Sequence, residues 1–288
     1  MSRSIEGKIK INSFADIVGA KKDAVAEIPL ADLHEFRNHP FRVLDDEKME
    51  ETVASIKEHG VLVPGIVRPL IDGGYEIISG HRRKRACEIL GFETMPAIIK
   101  NYSEDEAVIA MVDSNIYRED ILPSEKARAY KMKYDAMKHQ GNKEGGRTLE
   151  NIAENTGDSA KTVQRYVYLA GLNEKLLKLV DEKKIPFIPA VDLSFMRDKE
   201  QEWVAGFVEE DKVSISKEMA ANLKVLSQKR ELSKELIERI LLVKKPKQRK
   251  ITIGNEKLSE FFGDETTSEE IEEIIFRLLS DWKSGLKG

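Results

Sequence analysis

A change of hydrophobic rhythm at Pro123 divides this chain more sharply than anything in its composition. Before it, short β-type runs at 26–30, 65–69, 75–78 and 95–100 alternate with helical stretches at 46–59 and 81–90. Those two helices are closed by Gly60 and Gly91, and the turn Asp72-Gly73-Gly74 joins the second and third runs as a hairpin. A capping-box pattern, Ser103-Glu104-Asp105-Glu106, opens a further helix. After Pro123 only helical periodicity continues. Pro123 suits the first turn of a helix reaching about His139, with Ala127, Tyr130, Tyr134 and Met137 as its buried stripe, and Gly141 to Gly146 breaks it. The expected architecture is multidomain α+β: an arm at 1–24 without sustained apolar periodicity, a small α/β domain at 25–121, an all-α domain at 122–243, and a mainly helical module at 244–288. That last module begins with the basic run Lys244 to Lys250 and a strand candidate at 250–253. Its helix carries Ile271, Ile274, Ile275, Leu278 and Leu279 on one face, as intramolecular core or as a dimer face.

Charge at first argues against a nucleic-acid partner, since 47 Lys and Arg face 51 Asp and Glu, for a net of −4 over 288 residues. The total hides segregation. Between Asn255 and Lys283 nine acids meet three bases, a deficit larger than that of the whole chain, so the remainder is slightly basic. The single cysteine, Cys87, excludes an internal disulfide and a multi-cysteine zinc site. The five histidines, His34, His39, His59, His81 and His139, show no metal-ligand spacing. With no apolar run of about 18 residues and no signal-type apolar region at the N-terminus, the expectation is a soluble, cytoplasmic protein without membrane contact.

Residues 148–169 have the positional logic of a helix-turn-helix. Ala153 is small where two helices cross, Gly157 can take the positive φ of the turn, and Val163 packs the second helix back on the first. Ser159 is placed to cap that second helix, which contains Lys161 and Arg165 and no acid. Ser159, Ala160, Lys161, Thr162, Gln164, Arg165 and Tyr168 would meet DNA in a major groove. An ordinary helix pair with a solvated basic face is the alternative.

Ser79-Gly80-His81-Arg82-Arg83-Lys84-Arg85-Ala86 is the most informative stretch. Four consecutive cations at a helix start oppose the macrodipole, which is costly unless something negative binds. Arg82 and Arg83 lie a turn before Ala86, on the stripe shared with Ile89 and Leu90, while Lys84 faces Glu88 as a surface ion pair. A strand, a glycine and a basic helix start read as a phosphate cradle; a nonspecific basic patch on nucleic acid is the bland alternative. In the helix after Ser103, the inward stripe of Ala107, Ala110 and Met111 continues into Ser114 and Asn115, by helix termination or toward a ligand.

The order of these features, with Gly60-Val61-Leu62-Val63-Pro64-Gly65-Ile66-Val67-Arg68 before the arginine-rich helix and Asn115-Ile116-Tyr117-Arg118-Glu119-Asp120 after it, resembles the ParB family of chromosome and plasmid partition proteins and related nucleoid-occlusion factors. The resemblance covers residues 26 to 180. It implies a CTP- and magnesium-binding N-terminal domain, a middle domain for a palindromic centromere-like site on double-stranded DNA, a C-terminal homodimerisation module, and a nucleotide-gated clamp that slides on DNA. It also implies that residues 1–24 engage a ParA-type Walker ATPase, and that the protein sits on nucleoid or plasmid. Residue by residue, Gly80, Arg82 and Arg83 fall on the triphosphate-holding motif, Asn115 on the magnesium-associated asparagine, and Arg118 on the arginine that follows it. His81 stands where the family usually has Glu, Ser114 where it usually has the Glu tied to magnesium and hydrolysis, and Val63 where Gln is common. Serine is a neutral ligand and no carboxylate base, and Asp113 is rotated about 100° from it on a helix. Two readings therefore stand beside the clamp with weak CTP hydrolysis: a nucleoid-occlusion or transcriptional regulator without hydrolysis, and a nucleotide-dependent enzyme on a ParB- or sulfiredoxin-like fold. Cys87, beside Ala86 in a helix, reads as packed and structural.

Overall fold

A computed structural model describes residues 25–118, 120–140, 145–211, 213–242, 253–263 and 265–285. The chain divides into two compact units at Leu242/Val243. The first begins with β1 (Val25–Pro29), β2 (Leu33–His34), α1 (Glu47–His59), β3 (Gly65–Pro69), β4 (Tyr75–Ser79), α2 (His81–Leu90), β5 (Thr94–Ile99) and α3 (Glu104–Asn115). The strands form one mixed sheet in the order β1-β5-β3-β4-β2, with β5/β3 and β4/β2 parallel and the other pairs antiparallel. Gly73 and Gly74, at φ 95° and 72°, make the β3–β4 turn that other residues would strain.

Strand alternation gives the sheet two buried faces. Ile77 packs with Val67, Met95 and Ala97 against Met49 and Ile56 of α1 and Ala86 and Cys87 of α2. Its neighbour Ile78 faces the other way, onto Ala107, Met111 and Val112 of α3. Ile89, expected on the inward stripe of α2, is instead 48% exposed. The inward face runs through Arg83, Ala86, Cys87 and Leu90, the spacing of one helical stripe, which leaves Ile89 a step around the helix.

The helices after Pro123 are α4 (Pro123–His139), α5 (Gly145–Thr156), α6 (Ala160–Leu169), α7 (Glu174–Asp181), α8 (Phe187–Leu193), α9 (Asp198–Asp211), α10 (Lys217–Gln228) and α11 (Lys234–Leu242). The change of rhythm there is not a gap in packing. Ala129 and Tyr130 of α4, Ile152 of α5 and Val163 of α6 share one core with Phe36, Phe41, Ile78 and α3. Ala127 and Tyr130 are buried as the spacing predicts, but Lys133, on the same helix, is 1% exposed and ion-paired with Asp113. A second, wholly helical core joins Leu169, Leu172 and Leu176 to Val204, Leu223 and Ile237.

The second unit contains α12 (Asn255–Leu258) and α13 (Ser268–Gly285). No residue of α13 is buried, and Phe276, Leu278, Leu279 and Trp282 are exposed. Among the described residues no helix is long and apolar enough to cross a membrane. The arm at 1–24 and the basic run Lys244 to Lys250 lie outside the described residues, as does most of the strand candidate that follows.

Candidate functional site

The β4–α2 junction turns on Gly80, which sits at φ 118°. A Cβ there would stand 3.2 Å from the Cα of Gly65 on β3, so a glycine is required by the backbone angle and by the closeness of the two strand ends alike. Beyond it the four cations of α2 are each held by a protein group. Arg82 donates to Asp46 at 3.1 Å, and Asp46 also caps α1 by accepting from the Met49 amide. Arg83 reaches back over the sheet to the carbonyls of Val63 and Pro64, the latter at 2.6 Å. Lys84 pairs with Glu88 at 2.9 Å as the spacing predicts, and Arg85 forks onto Asp45 at 2.6 and 3.1 Å. The anion that a basic helix start demands is thus supplied in part by Asp45 and Asp46. Their carboxyls are held below the ordinary range, first of all by the hydrogen bonds from Arg85 and Arg82 respectively.

A cavity of about 200 Å³ opens beside this junction, lined by His39, Val43, Ser79, Gly80, His81, Arg82, Arg83, Ser114, Asn115 and Arg118. The seven sequence-chosen residues Gly80, His81, Arg82, Arg83, Ser114, Asn115 and Arg118 therefore meet in one place. Three guanidinium groups and no carboxylate line it, a donor set that suits a polyanion. Its volume is below the roughly 300–1,000 Å³ of a pocket for a drug-sized ligand, so it is sized for a compact anionic group. A neighbouring cavity of about 420 Å³ is lined by Glu35, Asp45 and Glu88 as well as Lys84 and Arg85, a mixed set that repels phosphate as much as it attracts it.

Ser114 and Asn115 end α3 and also wall the cavity, so the two sequence readings of them are compatible. Ser114 Oγ donates to the Met111 carbonyl at 2.9 Å, and Asn115 Nδ2 donates to the same carbonyl at 2.9 Å and to Ser114 Oγ at 3.0 Å. These bonds commit the amide nitrogen and leave Asn115 Oδ1 as the oxygen available to a ligand. Asp113 does not compensate for the missing carboxylate, because it is committed to Lys133. The residues present fit a triphosphate. For magnesium they offer neutral oxygens only, and no cluster of three metal-ligating His, Cys, Asp or Glu occurs among the described residues.

Reading the sequence missed three lining residues, Val43, Ser79 and His39. His39 stacks on His81 with ring centroids 4.0 Å apart and planes tilted by 41°. Burial, followed by repulsion from the His39 ring whenever that ring is charged and from Lys84 and Arg83, pushes the His81 imidazole down to about 3. Cys87 is fully buried and its thiol is pushed up by burial, as a structural cysteine should be.

In the helix pair α5–α6, Gly157 takes φ 72° in the turn, Ser159 Oγ accepts from the Thr162 amide at 3.1 Å, and Val163 is fully buried. Asp158 fixes the turn to α4 through Tyr130 at 2.5 Å and Lys126 at 2.7 Å. Ser159 and Thr162 are bonded to each other, and Gln164 donates to the Tyr168 hydroxyl at 3.2 Å. Tyr168 rests edge-on against Phe195 at 4.9 Å. Lys161 is exposed, Ala160 and Arg165 half-buried, and neither base forms an ion pair among the described residues.

The ParB N-terminal domain family matches residues 15–116. A nucleoid occlusion protein of Listeria monocytogenes serotype 4b is 32% identical over 241 residues, 83% of this chain and 77% of that protein. The chain belongs to the ParB family. A second relative within reach of this ParB-family chain, the nucleoid occlusion protein of Halalkalibacterium halodurans, is 33% identical over 57% of the chain, but the match spans only 55% of that protein. Among solved structures, the C-terminally truncated ParB of Caulobacter crescentus complexed to the centromeric parS site is 24% identical, covering 71% of this chain and 99% of that one at a TM-score of 0.43. The same protein complexed with CTP-gamma-S is 27% identical, covering 65% and 99% at a TM-score of 0.31. In this ParB-family chain, then, a ParB-like N-terminal α/β region is followed by a mostly helical one.

Proposed function

We propose that this ParB-family protein binds a palindromic site on double-stranded DNA through α6 and binds CTP through the cavity at the β4–α2 junction. One observation carries the reading: Arg82, Arg83 and Arg118 converge with Gly80 on a carboxylate-free cavity within the same compact unit as a capped helix-turn-helix. Gly80, Arg82, Arg83, Asn115 and Arg118 hold the phosphates, and any magnesium is carried chiefly by the phosphate oxygens, with Asn115 as the neutral protein ligand. Lys161 and Arg165 meet the DNA backbone, with Ala160, Gln164 and Tyr168 beside them in the groove and Ser159 and Thr162 fixing the helix start. The exposed apolar face of α13 forms the homodimer contact that a two-fold DNA site requires, and residues 1–24 engage a ParA-type ATPase. The test is CTP binding and turnover with and without selected DNA. CTP-selective binding strengthened by cognate DNA supports the reading, and equal weak binding of CTP, ATP, GTP and UTP sinks its nucleotide half.

A second reading is favoured by Ser114 and His81: no carboxylate lines the cavity to act as a base. On it the protein is a nucleoid-occlusion factor, the name its relatives carry, or another site-specific regulator; it binds nucleotide without hydrolysing it. Mapping of the protein along host DNA separates the two. Spreading over kilobases around a site supports a sliding partition clamp, and sharp isolated peaks support the regulator.

A further inference from the structure

The cavity wall contains a histidine pair whose proton chemistry neither reading uses. His39, from the loop after β2, stacks on His81, the first residue of α2, at 4.0 Å. The Nδ1 of His39 lies 2.6 Å from the Phe41 carbonyl, so that nitrogen carries the proton and Nε2 is left as a bare acceptor. The Nε2 atoms of both rings are buried and have no hydrogen-bond partner. Buried polar atoms without partners are rare enough to require a reason, and here two occur together beside a polyanion-type cavity.

We propose that His39 and His81 act as one proton-accepting pair in the cavity wall, taking up a single proton from solvent when a polyphosphate enters, so that His39 is a ligand-binding residue and nucleotide affinity is linked to pH. The inference rests on the nucleotide reading above. In the ligand-free protein the charges around His81 are positive and those around His39 are mixed. Arg83 and Lys84 face His81, and Arg118 faces His39 opposite Glu35 and Glu125. Burial holds both rings neutral; the cations add to it at His81, whereas at His39 the two carboxylates and the Phe41 carbonyl work against it. A triphosphate seated among Arg82, Arg83 and Arg118 reverses the local potential, and an imidazolium N–H then donates to a phosphate oxygen and supplies the missing partner. Only one ring charges, because two imidazolium ions in stacking contact repel each other. No bond in the ligand breaks; the only transfer is a proton from solvent to nitrogen.

The test is calorimetric titration of CTP into the full chain between pH 6.5 and 8, repeated in two buffers of different ionisation enthalpy. Wild type is compared with the double variant His39→Gln, His81→Gln, which removes the titration but keeps polar side chains. The comparison cancels the ionisation of the ligand's own phosphate. The expected result is roughly one more proton taken up per site by wild type than by the double variant, and an affinity that tightens by up to about tenfold per pH unit toward acid in wild type only. Equal proton counts in the two proteins overturn the inference while leaving the pocket intact. Failure of wild type to bind CTP at any pH overturns the pocket reading, and this inference with it.

Discussion

The two basic regions of this protein treat their cations in opposite ways. At the β4–α2 junction every cation of the run from Arg82 to Arg85 is already held by a carboxylate or a carbonyl of the protein. On α6 neither Lys161 nor Arg165 has an acidic partner among the described residues. Held cations have lost their side-chain freedom before a ligand arrives, so they present a fixed geometry to a compact anion. Free cations keep their hydration and adapt to a long, regular row of phosphates, and their contribution comes largely from released counterions. The same residue types therefore imply a shaped pocket in one place and an electrostatic footprint in the other.

That contrast is exposed to direct measurement. Raising salt from 50 to 200 mM should weaken DNA binding by on the order of a thousandfold if a dimer makes six or more phosphate contacts. CTP binding should fall by less than about tenfold over the same range, because its cations are preorganised and partly shielded. Equal salt slopes would erase the distinction. Arg82→Ala should reduce CTP affinity by about a hundredfold or more, since it removes a charged donor and leaves Asp46 facing the phosphates; calorimetry reads the loss. Asp113→Ala strands the buried Lys133 ammonium and should cost about 2–3 kcal/mol in denaturant unfolding, less than a fully buried pair because the Asp113 side chain remains 39% exposed. Arg165→Ala should weaken DNA binding by roughly tenfold per protomer on cognate and random sequence alike and lower the salt slope by about one contact per protomer, whereas a change confined to cognate DNA would show that it reads a base. The smallest effect concerns acid. Asp45 and Asp46 have depressed carboxyls, so the latch they form on Arg85 and Arg82 is complete above the ordinary carboxylate range and is lost as pH falls through their folded values. An Asp45→Asn, Asp46→Asn double variant should flatten the acid limb of the stability profile.

Local signals carried much of this structure. The strand at 65–69, the helix at 81–90, the capping box at Ser103 and the positive φ of Gly157 between α5 and α6 all depend on residues a few positions apart, and all are present as read. The two-residue β2 was invisible because it is too short to show alternation and exists only as a partner of β4. Ile89 was misplaced by one step around α2 because the stripe of a ten-residue helix is defined only by what packs against it. Lys133 reads as a surface residue within an amphipathic helix; only the approach of Asp113 from α3 explains its burial.

The chemistry of the cavity divides along the same line. Gly80, Arg82 and Arg83 were legible because strand, glycine and basic helix start are contiguous, and Ser114, Asn115 and Arg118 because they continue one helix end. His39 lies 42 positions before His81 in the chain and is joined to it only when the loop after β2 folds over the start of α2. Asp45 and Asp46 stand at the entry to α1, and only the packed structure turns them toward Arg85 and Arg82. Sequence order decides which side chains share a helix face or a turn, since those positions follow from backbone periodicity. Which distant groups neutralise one another, and which are left buried without a partner, is decided by tertiary packing, because charge and hydrogen bonding act across space and take no account of separation along the chain.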